Sequence, residues 1–323
     1  MTTTRRALLA LPLLAAPALA RAQAFPARPV RIVVPYPAGG GVDVMARALA
    51  DRLPALWGQP VTVDNRGGGA TIPGVDHVAR SPADGHVLLL TPDASITSNP
   101  HLYRDMPSDP IRDLAPVTLL TDVHQMIVAH PSLAAASLPA LVEAARAAPG
   151  RISYGSYGPG SQPHLAFEAL KAEARIDLLH VPYRGLAPAM QAAVAGEVQL
   201  TLAGAGIAGP HLAAGRLRAL AIGRDERLPA LPDVPTLREA GFPDIDPRTW
   251  FGLFAPAATP PAVIGTIQQA VARVMAEPAF AQRFVTGRGM TGHANSPEAV
   301  AAFIRQDLEA KGTLIRISGA RVE

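Results

Sequence analysis

Two loops rich in glycine and hydroxyl groups are the parts of this sequence best suited to binding chemistry. The first, residues 36–43 (YPAGGGVD), carries Gly39, Gly40 and Gly41 between a β-branched run and a helical pattern. A strand-to-helix turn of this kind leaves the first backbone N–H groups of the helix without intrahelical partners and points its positive dipole end at the loop. Because glycines let a ligand approach the backbone closely, a carboxylate or phosphate is the natural guest.

The same glycines also fit a plain flexible turn, in which Asp43 is an ordinary first-turn acid that favours the helix dipole. Spacing excludes two nucleotide-binding motifs. A dinucleotide fingerprint needs Gly or Ala at position 44, which is Val44, and no Lys-Ser or Lys-Thr pair follows for a P-loop. The remaining functional interpretation is an anion-binding loop without nucleotide-binding residues.

The second loop, residues 154–165 (YGSYGPGSQPHL), repeats this pattern. A strand ends, glycines and hydroxyls follow, and a helix begins, so Ser156 and Ser161 add side-chain donors to the free N–H groups. Two such loops could hold the two ends of one anionic ligand. Ser161 equally fits the N-cap of the helix, and His164 equally fits a packing or capping role.

A hydrolase that uses Ser156 and His164 is the alternative from another functional class. A nucleophile elbow needs glycine two residues before and two after the serine, but Tyr154 precedes Ser156 where Gly158 follows it. The nine histidines include no pair four residues apart around a glutamate, and cysteine is absent. We therefore expect a protein without catalytic activity, metal or cofactor.

Polar side chains also follow two other predicted strands. Ser95 and Thr97 come after the strand at 86–91, and Tyr183 comes after the strand at 178–181. Loops at the carboxyl ends of strands form the crevice of open α/β sheets, so these side chains are further ligand candidates. For residues 95–100 an ordinary polar turn is the alternative.

Alternation of strands and helices predicts the elements that position these loops. Predicted strands at 60–64 and 86–91 follow the first strand and helix, and a second strand–helix series occupies residues 138–222. Units of this length predict an α/β fold with mostly parallel sheets and helices on their faces.

The chain is longer than one hydrophobic core usually accommodates, so we expect two lobes. A buried strand at 250–255 and helical patterns at 261–275 and 297–311 follow the second series, and we expect this tail to return to the first lobe. Two chain crossings are the usual way to hinge one lobe about another. The boundaries we expect are 25–124 with 248–323 for lobe 1, and 125–247 for lobe 2.

The first 24 residues have the pattern of a secretory signal peptide. Arg5 and Arg6 precede an apolar run, and small residues place the cleavage between Ala20 and Phe25. The arginine pair fits both a twin-arginine signal and an ordinary secretory one. We expect a periplasmic protein with no membrane insertion. A formal charge of +3, 5% aromatic residues and no cysteine give no sign of nucleic-acid binding or disulfides.

The sequence resembles the receptors of tripartite tricarboxylate transporters, the Bug receptor family of periplasmic solute-binding proteins. The segments that carry the resemblance follow one another in family order along nearly the whole mature chain: VPYPAGGGVDVMAR, GQPVTVDNRGGG, SNPHLY, ISYGSYGPGSQPHLA, HVPYRGLAPAMQAAVAGEVQL, LPDVPTLREAG and WFGLFAPAATP. This resemblance implies a two-lobed periplasmic-binding-protein fold, type II-like, with the ligand cleft between the lobes. It also implies a monomer that closes on a small organic acid and presents it to the membrane subunits of a transporter.

In that family a ligand carboxylate is held largely by loop backbone, hydroxyls and ordered water. Ala203 and Gly204 depart from the family pattern, because many relatives have an acidic residue there. If that acid meets an amino or hydroxyl group of the ligand, its absence favours a plain carboxylate over an amino acid. A sensor that hands its ligand to a signalling protein is an alternative to the transport receptor. The ligand-binding residues we expect are Tyr36, Gly39, Gly40, Gly41, Asp43, Ser95, Thr97, Ser156, Gly158, Ser161, His164 and Tyr183.

Overall fold

The computed structural model describes residues 25–320, so the predicted signal peptide and its cleavage site lie outside the described residues. The strands are β1 (Val30–Val34), β2 (Val61–Asn65), β3 (Val87–Pro92), β4 (Leu114–Val123), β5 (Gln125–Ala129), β6 (Ser153–Ser156), β7 (Leu179–Pro182), β8 (Leu200–Gly204), β9 (Arg218–Ile222), β10 (Thr249–Pro256) and β11 (Met290–Gly292).

The helices are α1 (Gly41–Arg52), α2 (Pro54–Trp57), α3 (Ile72–Ala79), α4 (Asn99–Leu102), α5 (Pro110–Asp113), α6 (Leu138–Ala147), α7 (Gln162–Ala174), α8 (Leu186–Ala195), α9 (Ala205–Ala213), α10 (Pro261–Met275), α11 (Pro278–Phe284) and α12 (Pro297–Ser318). Short 3₁₀ turns occupy Gly69–Thr71 and Thr286–Arg288, and a π-helical turn occupies Ala94–Ser98. Within residues 25–320 no helix has the length and apolarity needed to cross a membrane.

The strands form two separate sheets. The first has the order β11-β4-β10-β3-β1-β2, and the second has the order β7-β6-β8-β5-β9. In the first, β1 is parallel to β2 and β3, whereas β10 runs antiparallel to β3 and β4. In the second, β6 is parallel to β7 and β8, whereas β5 is antiparallel to β8 and β9. The predicted α/β class, with sheets whose strands run mostly in one direction, is confirmed.

Both faces of the first sheet are covered, and β1 shows why its sequence is continuously apolar. Val30, Ile32 and Val34 belong to one apolar cluster with α1 and α10, and Val33 belongs to the cluster on the other face with α12. Successive side chains of a strand point to opposite faces, so a strand buried on both sides needs apolar residues at nearly every position. The loop that follows β1 is therefore anchored in the core.

The chain passes between the sheets twice. His124 joins β4 to β5, and the segment after β9 leads back to β10, which lies between β3 and β4 in the first sheet. Arg248 at the second crossing donates to Asp122 at the first (Nη1 to Oδ2, 3.3 Å). The last helix, α12, packs against β4 and also against α7 beside the second sheet.

Candidate functional site

The first candidate loop joins β1 to α1 and exposes backbone donors. Gly40 is the N-cap residue of α1, and no side chain accepts a hydrogen bond from the first N–H groups of that helix. Gly39 has φ +93°, a conformation that favours glycine. A methyl group added at Gly39 or Gly40 would meet nothing within 4 Å. The loop therefore leaves open space in front of unpaired donors.

Asp43 holds this loop in shape. It is 2% exposed, and its carboxylate accepts hydrogen bonds from the Gly39 N–H (2.8 Å), Arg47 Nε (3.0 Å) and Asn65 Nδ2 (2.9 Å). Burial alone would raise the pKa of Asp43, but the bonds from Arg47, Gly39 and Asn65 outweigh it and hold the pKa below its usual value. Asn65, the last residue of β2, also donates to the Tyr36 carbonyl (3.1 Å) and is a support of this loop that the sequence reasoning missed.

Tyr36, Ser95 and Thr97 lie at the carboxyl ends of the adjacent strands β1 and β3. Burial and the nearby Asp93 charge raise the pKa of the half-buried Tyr36, which leaves a neutral phenol close to Ser95. Ser95 and Thr97 are both fully buried. Ser95 Oγ accepts from Thr91 Oγ1 at 2.6 Å. The Ser95 and Thr97 hydroxyls bond inward, and the segment forms a π-helical turn followed by α4, so their contact with a ligand stays a prediction.

The second candidate loop joins β6 to α7. Ser161 occupies the N-cap position of α7, but its hydroxyl donates to the Gly158 carbonyl (2.6 Å) instead of accepting from a helix N–H. The backbone N–H of Gly160, which precedes the N-cap residue, donates to His164 Nδ1 (3.0 Å), so His164 fixes the loop that leads into the helix. Gly158 has φ +119° and needs glycine. As in the first loop, no side chain caps the first N–H groups of the helix.

Ser156 pairs with a histidine that the sequence reasoning did not select. Its hydroxyl lies 2.6 Å from Nε2 of His180 on β7, and the His180 ring stacks on His164 (centroids 4.2 Å apart) and on Tyr154 (4.9 Å). Burial, with a contribution from His164, lowers the pKa of His180 to about 4. Burial also lowers the pKa of His164. Both imidazoles are therefore neutral at neutral pH.

The Ser156–His164 pair that the hydrolase alternative needs is not formed. His164 is bonded to the loop backbone, and no carboxylate among residues 25–320 accepts a hydrogen bond from either stacked imidazole. Within the same residues no group of three or more His, Asp or Glu side chains could hold a metal ion. The geometry supports binding by neutral donors.

Two tyrosines complete this loop. The Tyr183 N–H donates to the Ser156 carbonyl (2.9 Å), while its half-buried ring packs with the apolar cluster on the α8 and α9 face of the second sheet. Tyr157, which the sequence reasoning missed, donates to the Leu202 carbonyl and to Gln125 Oε1 (3.3 Å). The loop is thereby fixed to the ends of β5 and β8.

Ala203 and Gly204 lie where β8 ends. Ala203 is fully buried in the same apolar cluster as Met126 and Ala208. Gly204 is the N-cap residue of α9, and a methyl group there would come within 3.0 Å of Val123. The effect of these two residues on ligand choice stays a prediction.

The predicted ligand residues thus form two groups, one at an edge of each sheet. The distal loop lies against α4, which follows the strands that carry the first group. A methyl group at Gly160 would overlap the Leu102 side chain of α4. Leu102, Leu165 of α7 and Ile315 of α12 form one apolar cluster across this contact. Ligand contact by any of these residues stays a prediction.

Comparison with known proteins agrees with this geometry. The family model described as tripartite tricarboxylate transporter family receptor matches residues 45–319. Protein BugT of Bordetella pertussis is 33% identical over 303 residues, which cover 94% of this chain and 93% of BugT.

Solved structures match over most of the chain as well. Rpa4515 of R. palustris, solved with adipate, has a TM-score of 0.87 and 30% identity, with 92% of this chain and 100% of that chain covered. The periplasmic binding protein BugD has a TM-score of 0.83 and 31% identity over 92% of this chain and 100% of its own. MatC of Rhodopseudomonas palustris, solved with malate, has a TM-score of 0.82 and 28% identity over 90% and 100%. The predicted periplasmic-binding-protein fold is confirmed, and the chain belongs to the tripartite tricarboxylate transporter receptor family, the Bug receptors.

Proposed function

We propose that this protein is a periplasmic receptor that captures a small organic carboxylate and delivers it to the membrane subunits of a tripartite tricarboxylate-type transporter. The observation that carries the proposal is the pair of uncapped helix starts, α1 and α7, each preceded by a glycine loop at the edge of its sheet. Free N–H groups at a helix start are a ready anion site. The similar proteins Rpa4515, solved with adipate, and MatC, solved with malate, support an organic acid as the class of ligand.

The two sheets are the cores of two lobes that close on the ligand. We place the lobes at residues 25–124 with 248–323 and at residues 125–247, and the crossings at His124 and Arg248 form the hinge. A ligand that contacts both loops binds the closed form better than the open form, and this difference in affinity shifts the population toward closure. Export by an N-terminal signal peptide and a monomeric state complete the proposal.

In the site, Gly40 and Gly41 supply backbone donors from the start of α1, and Gly39 gives the turn that exposes them. The loop of Ser156, Gly158 and Ser161 presents the uncapped start of α7 opposite them. Tyr36 adds a neutral hydroxyl from the first lobe. Asp43 and His164 fix the two loops from behind. Of the other residues expected at the site, Tyr183 lies beside the distal loop, while the fully buried Ser95 and Thr97 support the site from below its surface.

Gly40→Ala tests the site directly. The methyl group would meet nothing within 4 Å, and φ at Gly40 is −75°, so we expect the melting temperature of the mature protein to stay unchanged. We expect affinity for the carboxylate found by a thermal-shift screen of mono-, di- and tricarboxylates to fall at least tenfold, as measured by calorimetry. Gly265→Ala, in open space on α10, is the matched control. Unchanged affinity in Gly40→Ala would remove the first loop from the site.

The ligand is a plain carboxylate, not an acidic amino acid. Ala203 and Gly204 offer no acid to pair with an ammonium group, and the region around Ala203 is apolar. Ligand at about 100 times its Kd stabilises the native state by roughly 2.7 kcal/mol, so the same screen ranks the acids. Tight binding of aspartate or glutamate would contradict this assignment.

A further inference from the structure

Lys311 of α12 joins the two sheets through one buried ammonium group. The side chain is buried at 4% exposure, and Nζ lies 2.8 Å from Asp93 Oδ2 and donates to Gln162 Oε1 at 2.6 Å. Asp93 directly follows β3 of the first sheet, and Gln162 is the first residue of α7 beside the second. The ammonium therefore connects the segment next to Ser95 with the helix that begins at the distal loop.

The groups around this ammonium are themselves bonded. Asp93 accepts from Thr249 Oγ1, and Asp307 accepts from Thr97 Oγ1 (2.7 Å) and Trp250 Nε1 (3.0 Å). Burial disfavours the charge of Lys311, but Asp93 and Asp307 outweigh it and raise the pKa of Lys311. With these partners the Lys311 side chain stays charged inside the protein. Removal of one partner is strongly destabilising, because it leaves a buried charge without compensation.

Gln162 ties the same helix start to the hinge. Its Oε1 accepts from Lys311, and its Nε2 donates to the Asp246 carbonyl (3.0 Å) in the second chain crossing. One turn beyond Lys311, Ile315 packs with Leu165, which lies on the Gln162 side of α7. A polar contact and an apolar contact thus fix the orientation of the first turn of α7.

The residue type at position 311 is itself informative. The chain has 29 lysine and arginine residues, and only Lys171 and Lys311 are lysines. Lys171 pairs with Glu168 on its own helix, at 2.9 Å. A compact ammonium can donate to several acceptors around a point, whereas a planar guanidinium needs a fork-shaped site. Asp93 and Gln162 are acceptors placed around one point, so their junction suits a lysine ammonium.

We propose that Lys311 is a positioning residue for ligand capture, which holds the first turn of α7 so that the donors of the distal loop face the proximal loop. The inference rests on the proposed function, because it concerns the same cleft. Lys311 itself does not contact the ligand; its ammonium is already bonded to Asp93 and Gln162.

Lys311→Met and Gln162→Leu test this role by calorimetry with the acid that binds the wild-type protein. We expect each to weaken binding at least tenfold, and we expect the double variant to lose less affinity than the two single losses combined, because both variants remove the same Lys311–Gln162 contact. Lys171→Met is the matched control and should bind as the wild type does. Gln162→Leu removes no charge and therefore keeps the test open if Lys311→Met does not fold.

Electron-spin distance measurements test the relative position of the two lobes independently of ligand affinity. The chain has no cysteine, so Leu56→Cys and Leu179→Cys, which are exposed on opposite lobes, provide a single pair of labels. Without ligand, we expect Lys311→Met to broaden the distance distribution and shift it to longer values. The proposal would be overturned if Lys311→Met kept the wild-type affinity and the wild-type distance distribution. It would be overturned equally if the variant were less stable but showed no change in affinity or distances.

Failure of the proposed function gives a different result. If no acid binds the wild type, the receptor assignment fails, while the label distances still decide whether Lys311 orients the lobes. With ¹³C-lysine labelling the two lysines give two sets of signals. We expect the Lys311 signal to move on ligand binding and the Lys171 signal to stay; equal behaviour of the two would count against the role of Lys311.

Discussion

The proximal and distal loops have the same strand–glycine–helix design but are held in place by different interactions. One ionised carboxylate, Asp43, gathers a backbone N–H, a guanidinium and an amide around the proximal loop. The distal loop depends on uncharged groups, namely the stacked rings of His164 and His180 and the hydroxyl of Ser156. Two halves of one cleft can thus present similar donors on supports that respond differently to pH.

The largest expected effect is acid sensitivity of the distal support. His180 has a pKa near 4 when folded, against 6.5 for an ordinary histidine, so the folded protein binds fewer protons than the unfolded chain. Its stabilising contribution is full above pH 6.5 and is lost as the pH falls toward 4, by roughly 3 kcal/mol at most. Denaturant unfolding between pH 7 and 4.5 measures this loss.

His180→Phe keeps a ring in the stack and removes the titrating group, so the stability curve between pH 6.5 and 4.5 should flatten. The depressed pKa of Asp43 affects stability at lower pH. The stabilisation that Asp43 provides is complete above its ordinary pKa of 3.8 and is lost only as the pH falls below that value. Asp43→Asn should therefore leave the slope between pH 6.5 and 4.5 intact. An equal slope in wild type and His180→Phe would show that the stack is not the acid-sensitive part.

Next in size is Asp43→Ala, which removes the proximal support. The Gly39 N–H, Arg47 and Asn65 lose their common acceptor, and we expect the free energy of unfolding to fall by about 2 kcal/mol, with weaker ligand binding. Urea unfolding and calorimetry measure the two effects. Asp51→Ala, exposed on the same helix, is the control. Retained affinity with an unchanged melting temperature would remove Asp43 from the loop's support.

Ser156→Ala should have the smallest effect on stability. It removes the hydroxyl next to His180, and we expect a loss of about 1 kcal/mol together with weaker carboxylate binding. Ser137→Ala, which removes the N-cap of the remote helix α6, costs a similar amount of stability and should leave affinity unchanged. If both variants bind the ligand like the wild type, Ser156 has a structural role alone.

Much of the fold was predictable because local signals and burial agree. Helix α10 was expected at 261–275 and has these bounds, since proline at its first position and a regular apolar face define it. The last helix was expected to end at Lys311 but continues to Ser318. Gly312 weakens the local signal there, but it packs against His101, and Ile315 remains buried. Tertiary packing extends this helix beyond its local pattern.

The two loops were also predictable, because glycines between a strand and a helix mark a place where backbone donors stay free. The residues that hold these loops in place could not be predicted. Asn65, His180 and Lys311 each act on residues that are distant in the sequence, and nothing in their own surroundings distinguishes them from surface or strand-end residues. The burial of Thr97 was missed for the same reason, since its partner Asp307 comes from α12.

The position of β10 between β3 and β4 has a consequence for synthesis. A ribosome releases β1 to β4 early, but the middle of the first sheet stays empty until the chain has made the whole second sheet and returned as β10. The second sheet is continuous in the sequence and needs no later strand. Contacts between distant segments form slowly, and unpaired strand edges promote aggregation. The second sheet can therefore assemble first, while the facing edges of β3 and β4 stay unpaired until β10 arrives.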